Sequence, residues 1–194
     1  MILEGIVTTL NEDGSPNISP MGPEVDTLIT SFVLKPYKTS RTYQNLKRIG
    51  EGVLHVTDDV ELIARAAINQ FDKLPATFQA QAVAGVVLAD ACRWYAFRVS
   101  DLDDRKDRTR IECSVVDQGR IRDFFGLNRA KHAVLEAAIL ATRTSILPQS
   151  KINEELARLQ TLVEKTAGDQ ERRAFALLIG HIDAAYANAT DSSL

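Results

Sequence analysis

The hydrophobic patterning of this chain changes character once, at Asn128, and that change constrains the fold more than any other feature. Before it, short apolar and β-branched runs are separated by turn formers. After it, apolar residues recur every three or four positions. Residues 2–10 run into Asn11-Glu12-Asp13-Gly14-Ser15-Pro16, which reads as a strand entering a hairpin loop. The return stretch, 17–23, carries Pro20 and Pro23. Proline cannot donate to a ladder, so this is an edge strand or one that leaves its sheet. Residues 28–34, 53–57, 83–89, 92–99 and 109–116 read as further strands, the last two separated by the charged and therefore exposed linker 101–108. Thr39 or Ser40 caps a helix carrying Tyr43, Leu46 and Ile49, stopped by Gly50 and Gly52. Asp58 with Glu61 resembles a capping box for a helix through Ile68. About six strands with only short helices between them predict an antiparallel barrel or sandwich rather than a parallel α/β sheet.

From Asn128 the pattern predicts a helix through Thr142, apolar nearly all round and hence buried. Pro148 breaks it, Ser150 caps a helix with Ile152, Leu156, Leu159 and Val163 on one stripe, and Gly168-Asp169 stops that helix and starts the next. The last two helices read as an antiparallel hairpin, with the tail 188–194 frayed. The expected class is α+β, with a strand-built domain at 1–127 and a helical subdomain at 128–194.

The chain has 194 residues and net charge −3, which disfavours a general polyanion binder. No apolar run approaches the ~18–20 residues that span a bilayer, and the start lacks a basic leader, so no membrane or nucleic-acid partner and a cytoplasmic location are expected. Cys92 and Cys113 have neither redox nor metal spacing, and the three histidines form no short metal motif, so no metal is expected. The mean charge hides a segregation. Residues 1–34 carry Glu4, Glu12, Asp13, Glu24 and Asp26 and no base, whereas 35–48 carry Lys35, Lys38, Arg41, Lys47 and Arg48 and no acid. A compact basic island in an acidic protein suits one small anion better than a long polyanion, although charge alone is more often that of a solvated helix face.

Within that island, Lys35-Pro-Tyr-Lys-Thr-Ser-Arg-Thr42 sets three cations and three hydroxyls across a strand end and the first turn of a helix. The free amides and positive dipole of a helix start attract an anion, and the hydroxyls of Thr39, Ser40 and Thr42 can donate to phosphate oxygens. Every helix needs a cap, so Thr39 or Ser40 by itself establishes no ligand. No Gly-rich fingerprint is present for a pyrophosphate held in that manner. The interrupted strand 17–23, with Gly22 allowing close approach, can offer amides to the edge of a flat heterocycle or can simply be a proline-protected edge.

Residues 1–22, the stretch Lys35-Pro-Tyr-Lys-Thr-Ser-Arg-Thr-Tyr-Gln-Asn45, Gly52-Val-Leu-His-Val-Thr-Asp58 and Asn128-Arg-Ala-Lys-His-Ala133 together resemble an uncharacterised family of FMN-binding split-barrel proteins related to flavin reductases. The resemblance spans nearly the whole chain. It implies a Greek-key split β-barrel that forms a homodimer and holds FMN near the subunit interface. Carried onto these residues, Ser19, Pro20, Met21 and Gly22 would face the isoalloxazine edge. Thr39, Ser40 and Thr42, helped by Lys35 or Lys38, would hold the phosphate, Asn45, which ends that motif, would belong to the same cofactor site, and His55 and Thr57 would reach the ribityl chain or ring. Lys131 and His132 fall in the first turn of the buried helix, where a cation opposes the dipole; a paired role and a ligand contact both stay open. The flavin would supply the redox chemistry, so no side chain is named catalytic. Three functions follow as alternatives: an FMN-dependent oxidoreductase fed by a nicotinamide or another reduced carrier, a flavin-binding protein without turnover, or a barrel that has exchanged its ligand or serves assembly.

Overall fold

The computed structural model describes residues 1–191, and Ser192–Leu194 of the expected frayed tail lie outside the described residues. It divides into two compact units, one of residues 1–57 and 73–124, the other of 58–72 and 125 onward.

The first unit is built on a seven-stranded antiparallel sheet. β1 (Gly5–Leu10) and β2 (Pro16–Met21) form the expected hairpin, followed by β3 (Glu24–Val25) and β4 (Ser31–Leu34). The short helix α1 (Arg41–Ile49) leads to β5 (Glu51–Val56), and β8 (Arg93–Asp103) and β9 (Arg110–Arg120) form the longest ladder. The order is β2-β1-β5-β8-β9-β4-β3. β6 (Thr77–Gln79) and β7 (Val86–Leu88) make a separate two-stranded ribbon. The prolines explain how the sheet curls. The chain pairs with β1 as far as Met21 and, beyond Pro23, with β4 through Glu24↔Val33 and Val25↔Phe32. Ile2 still bridges Glu24, and the Leu3 amide donates to the Pro23 carbonyl at 3.1 Å, so the two ends of the sheet meet. A strand that changes partner at two prolines closes the barrel and leaves it split between β2 and β3. The inside is filled by Val7, Phe32, Leu34, Leu54, Phe97 and Ile111, each worth about 1.5–3 kcal/mol of burial.

The charged linker is shorter than the sequence predicts. β8 runs on through Asp103, because irregular register between Ala96 and Phe97 and between Val99 and Asp101 turns Leu102 onto the core. Asp104 is only half-exposed and accepts hydrogen bonds from the Tyr43 hydroxyl (2.7 Å) and the Lys47 ammonium (2.8 Å).

The second unit contains α2 (Val60–Ala67), α3 (Arg129–Ala141), α4 (Gln149–Thr166) and α5 (Asp169–Asp191). α3 presents Ala130, Ala133, Val134, Ala137 and Ala141 to the helices around it, and these small residues let the helices pack closely onto Ile152, Phe175, Leu178 and Ile182. Two caps differ from expectation. Asp59, not Asp58, caps α2 by accepting from the Leu62 amide at 2.9 Å, because the Asp58 carboxylate is taken by the Phe125 amide at 2.6 Å. α4 starts directly after Pro148 with no side-chain cap, which places Ser150 inside the helix.

Candidate functional site

The residues 36–41 form the most anion-ready feature of the first unit. The Pro36 carbonyl accepts from both the amide (2.9 Å) and the hydroxyl (2.8 Å) of the buried Thr109, and Lys38 N–H donates to the Asp107 carbonyl at 2.9 Å. A β-turn from Tyr37 to Ser40 then delivers the chain to α1, with Ser40 N–H donating to Tyr37 O at 2.9 Å. Ser40 is the cap: its backbone is extended and its Oγ accepts from the Tyr43 amide at 3.2 Å. That leaves the hydroxyl proton of Ser40 available to a ligand. The amides of Arg41 and Thr42 have no backbone acceptor among the described residues, as expected of a first helical turn. No acid lies in that turn, Thr39 and Arg41 are exposed, and neither Lys38 nor Arg41 forms a salt bridge among the described residues.

The other residues expected at the cofactor from this stretch turn elsewhere. Thr42 and Asn45 are buried on the inner face of α1. Asn17 Nδ2 donates to Thr42 Oγ1 (3.1 Å) and Thr9 Oγ1 (3.2 Å), and Asn45 Nδ2 donates to Thr9 Oγ1 and Asn11 Oδ1 at 3.0 Å each. Arg48 completes the network by donating to Asn45 Oδ1 at 3.2 Å. These bonds fasten α1 across the β1–β2 hairpin, so Thr42 and Asn45 place the helix start and do not open onto it. Lys35 is engaged with Glu24, and that hydrogen bond holds the Glu24 carboxyl below its ordinary value.

Ser19, Pro20 and Met21 are half-buried on β2 opposite Val7, Ile6 and Gly5, and Met21 packs against the barrel core. Gly22 is exposed; a Cβ there would come within 2.9 Å of Ile2 Cγ2, so the glycine permits the close approach of the N-terminal residues. His55 has no atom to give a ligand. It is fully buried, its Nδ1–H donates to the Ile6 carbonyl at 3.2 Å, and its Nε2 accepts from the Leu88 amide at 3.1 Å. Burial holds the ring neutral, with its pKa pushed down to about 4. Thr57, just beyond β5, is also buried.

Lys131 and His132 belong to the second unit. The Lys131 ammonium donates to the Asp58 carbonyl (2.7 Å) and Gln170 Oε1 (3.3 Å) and is 2.9 Å from Glu171 Oε1. It is the paired cation that a half-buried position in the first turn of a helix requires, and it is spent on the fold. His132 is exposed, which leaves it as the member of the pair open to a ligand.

Two features of the first unit escape sequence reasoning. The exposed Tyr37 ring lies under the Arg108 guanidinium at 5.3 Å, a pairing created by the isolated bridge between residues 71 positions apart. A cleft of about 340 Å³ is lined by Ile29, Thr30 and Val115–Gln118. Ile29 has φ 51°, unusual for a β-branched residue, and its amide donates to Asp26 Oδ1 at 2.7 Å. The Asp26 turn is a local signal, whereas the β9 wall opposite is legible only once β4 and β9 are paired.

The family described as "Protein of unknown function (DUF447) N-terminal domain" matches residues 3–122, and its companion "Protein of unknown function (DUF447)" matches 128–180. This chain belongs to the DUF447 family. Among solved structures, an FMN-bound DUF447 protein from Methanosarcina mazei is 24% identical, covers 93% of this chain and 94% of its own, and superposes with a TM-score of 0.78. The flavoredoxin of Desulfovibrio vulgaris (Miyazaki F) is 11% identical over 61% of this chain and 69% of its own, with a TM-score of 0.52. The styrene monooxygenase flavin reductase of Pseudomonas putida S12 is 14% identical over 61% of this chain and 80% of its own, with a TM-score of 0.50. No curated protein matches the chain significantly. The chain therefore shares the split-barrel fold of that FMN-bound protein, with a C-terminal helical part, and no described helix is long and apolar enough to cross a membrane.

Proposed function

We propose that this DUF447 protein binds FMN and works as a flavin-dependent oxidoreductase. The observation that carries the reading is the acid-free start of α1, with two amides unpaired and two cations outside any salt bridge among the described residues, together with two hydroxyls, on a fold whose Methanosarcina mazei neighbour is FMN-bound. The phosphate dianion is held by the Arg41 and Thr42 amides and the Thr39 and Ser40 hydroxyls, with charge from Lys38 and Arg41. Thr42 and Asn45 act through the network that fixes α1. The outer side of β2, at Ser19–Gly22, faces the edge of the isoalloxazine. Bound FMN supplies the redox chemistry, and the chain supplies binding and orientation. The reductant is a nicotinamide or another reduced carrier. The working unit is a homodimer whose interface covers Leu28 and Val116, apolar side chains that stand exposed in the single chain.

The test is an absorbance spectrum after FMN is added and the protein is desalted. Retained flavin bands support binding, and a colourless wild-type protein refutes it. Anaerobic bleaching by a nicotinamide faster than that of free FMN separates an oxidoreductase from a passive flavin carrier.

A further inference from the structure

The loop between β3 and β4 holds an apolar side chain out of the core in a strained conformation. Asp26 Oδ1 accepts from the Leu28 amide at 3.1 Å and the Ile29 amide at 2.7 Å, and Ile29 takes φ 51°, which β-branched residues rarely adopt. Backbone strain of that kind gathers at binding sites, where the surroundings enforce it. Here it sets a knob beside a hole. Leu28 is 76% exposed, and Ile29, the next residue, forms one wall of the cleft of about 340 Å³ whose other wall is β9 from Val115 to Gln118. Val116, 41% exposed, continues the apolar surface, and Thr30, Asp117 and Gln118 give it a polar rim. An apolar centre with a polar rim is the anatomy of a protein interface. Strand addition does not cover it: past the Val115 amide, which donates to the Thr30 carbonyl at 3.0 Å, the Gln118 amide is taken by Asp117 Oδ1 at 2.8 Å, and a charge blunts that edge.

We infer that two copies of this chain interlock here, Leu28 of each seated in the β4–β9 cleft of the other. The inference rests on the homodimer proposed above, not on its flavin, and adds the contact that makes it. Knob and hole lie side by side on one chain, so a second copy related by a twofold axis fills both at once, each receiving what it presents. The knob is uncharged, so it meets the partner's Asp117 without repulsion, and two leucines buried together supply the central anchors that an interface of about 800 Å² per partner needs. Leu28 follows Gly22 by six residues and lies within about 20 Å of it, so the interlock seats the second copy near the strand end that faces the isoalloxazine.

The experiment measures the dimer dissociation constant of the purified full-length protein by sedimentation, without added flavin, for the wild type, Leu28→Asp, and Leu28→Asp combined with Asp117→Lys. Circular dichroism confirms folding of each variant. The wild type should be a dimer. Leu28→Asp removes two buried leucines per dimer and sets each new carboxylate against the partner's Asp117, which should raise the dissociation constant about a hundredfold or more. Adding Asp117→Lys turns that repulsion into attraction and should recover about tenfold of the loss. A dimer that Leu28→Asp leaves intact overturns the interlock while the homodimer stands. Dissociation by Leu28→Asp with no recovery from Asp117→Lys overturns the seating of Leu28 in the cleft. A monomeric wild type overturns homodimer and interlock together, leaves the cleft to a different partner, and does not touch the flavin reading, which the absorbance spectrum decides separately.

Discussion

His55 makes the first unit sensitive to acid in a window where little else titrates. The ring is fully buried, donates to Ile6 and accepts from Leu88, and so must be neutral in the folded state. Burial pushes its pKa from the ordinary 6.5 down to about 4. Below pH 6.5 the unfolded chain binds a proton that the folded chain refuses, so stability is complete above about pH 7 and falls as pH drops. The slope is about 1.4 kcal/mol per pH unit until the folded pKa is reached. The unfolded ring is already half protonated at pH 6.5, so between pH 6.5 and pH 5 the loss is about 1.6 kcal/mol. Carboxylates whose pKa is held down, such as Glu24, Glu51 and Asp104, stabilise above their ordinary 3.8–4.5 and lose that contribution only at lower pH, outside this window. The assay is urea unfolding followed by fluorescence of Trp94, which is the one tryptophan of the chain and pairs with His55 across β5 and β8. Wild type should lose stability steadily from pH 6.5 to 5. His55→Gln, which keeps an acceptor near Leu88 and cannot titrate, should be weaker at pH 7.5 yet nearly flat with pH. Equal pH slopes in the two proteins would refute the reasoning.

Lys38→Glu together with Arg41→Glu should cut FMN affinity at least tenfold, since each charged contact to phosphate is worth about 1.5–3 kcal/mol; the urea midpoint should hardly move. Asn45→Ala should do the reverse at its origin. Removing three hydrogen bonds of a buried side chain costs about 2–4 kcal/mol, seen as a lower urea midpoint, with any loss of flavin following from displacement of α1. Lys131→Met leaves the buried Glu171 carboxylate unpaired and should destabilise the second unit by about 3–5 kcal/mol, measured by helical circular dichroism, whereas Lys131→Met with Glu171→Leu should recover much of that loss. Gly119→Ala would bring a Cβ to 2.6 Å from Trp94 Nε1 and should lower the thermal midpoint of the first unit while shifting the tryptophan emission.

The sequence by itself determined the local matters. Apolar, β-branched runs cut by prolines and turn formers specified an antiparallel barrel or sandwich, and the acid-free run 35–48 with Ser40 marked a basic helix start. These are legible because strand alternation, caps and charge are set by neighbours a few residues apart. What only the tertiary structure decided is where each polar side chain is spent. Thr42 and Asn45 share their motif with Thr39 and Ser40, yet helical rotation turns the first pair onto Asn17 and Thr9 and leaves the second pair at the open end. His55 looked as available as any polar residue on a strand until β1 and Leu88 took both of its nitrogens. Lys131 became the counter-ion of a buried carboxylate only because Glu171 arrived from a helix 40 residues away. Tyr37 meets Arg108 for the same reason. A donor's partner in a folded chain is fixed by closure over tens of residues, and no periodicity within the sequence records that distance.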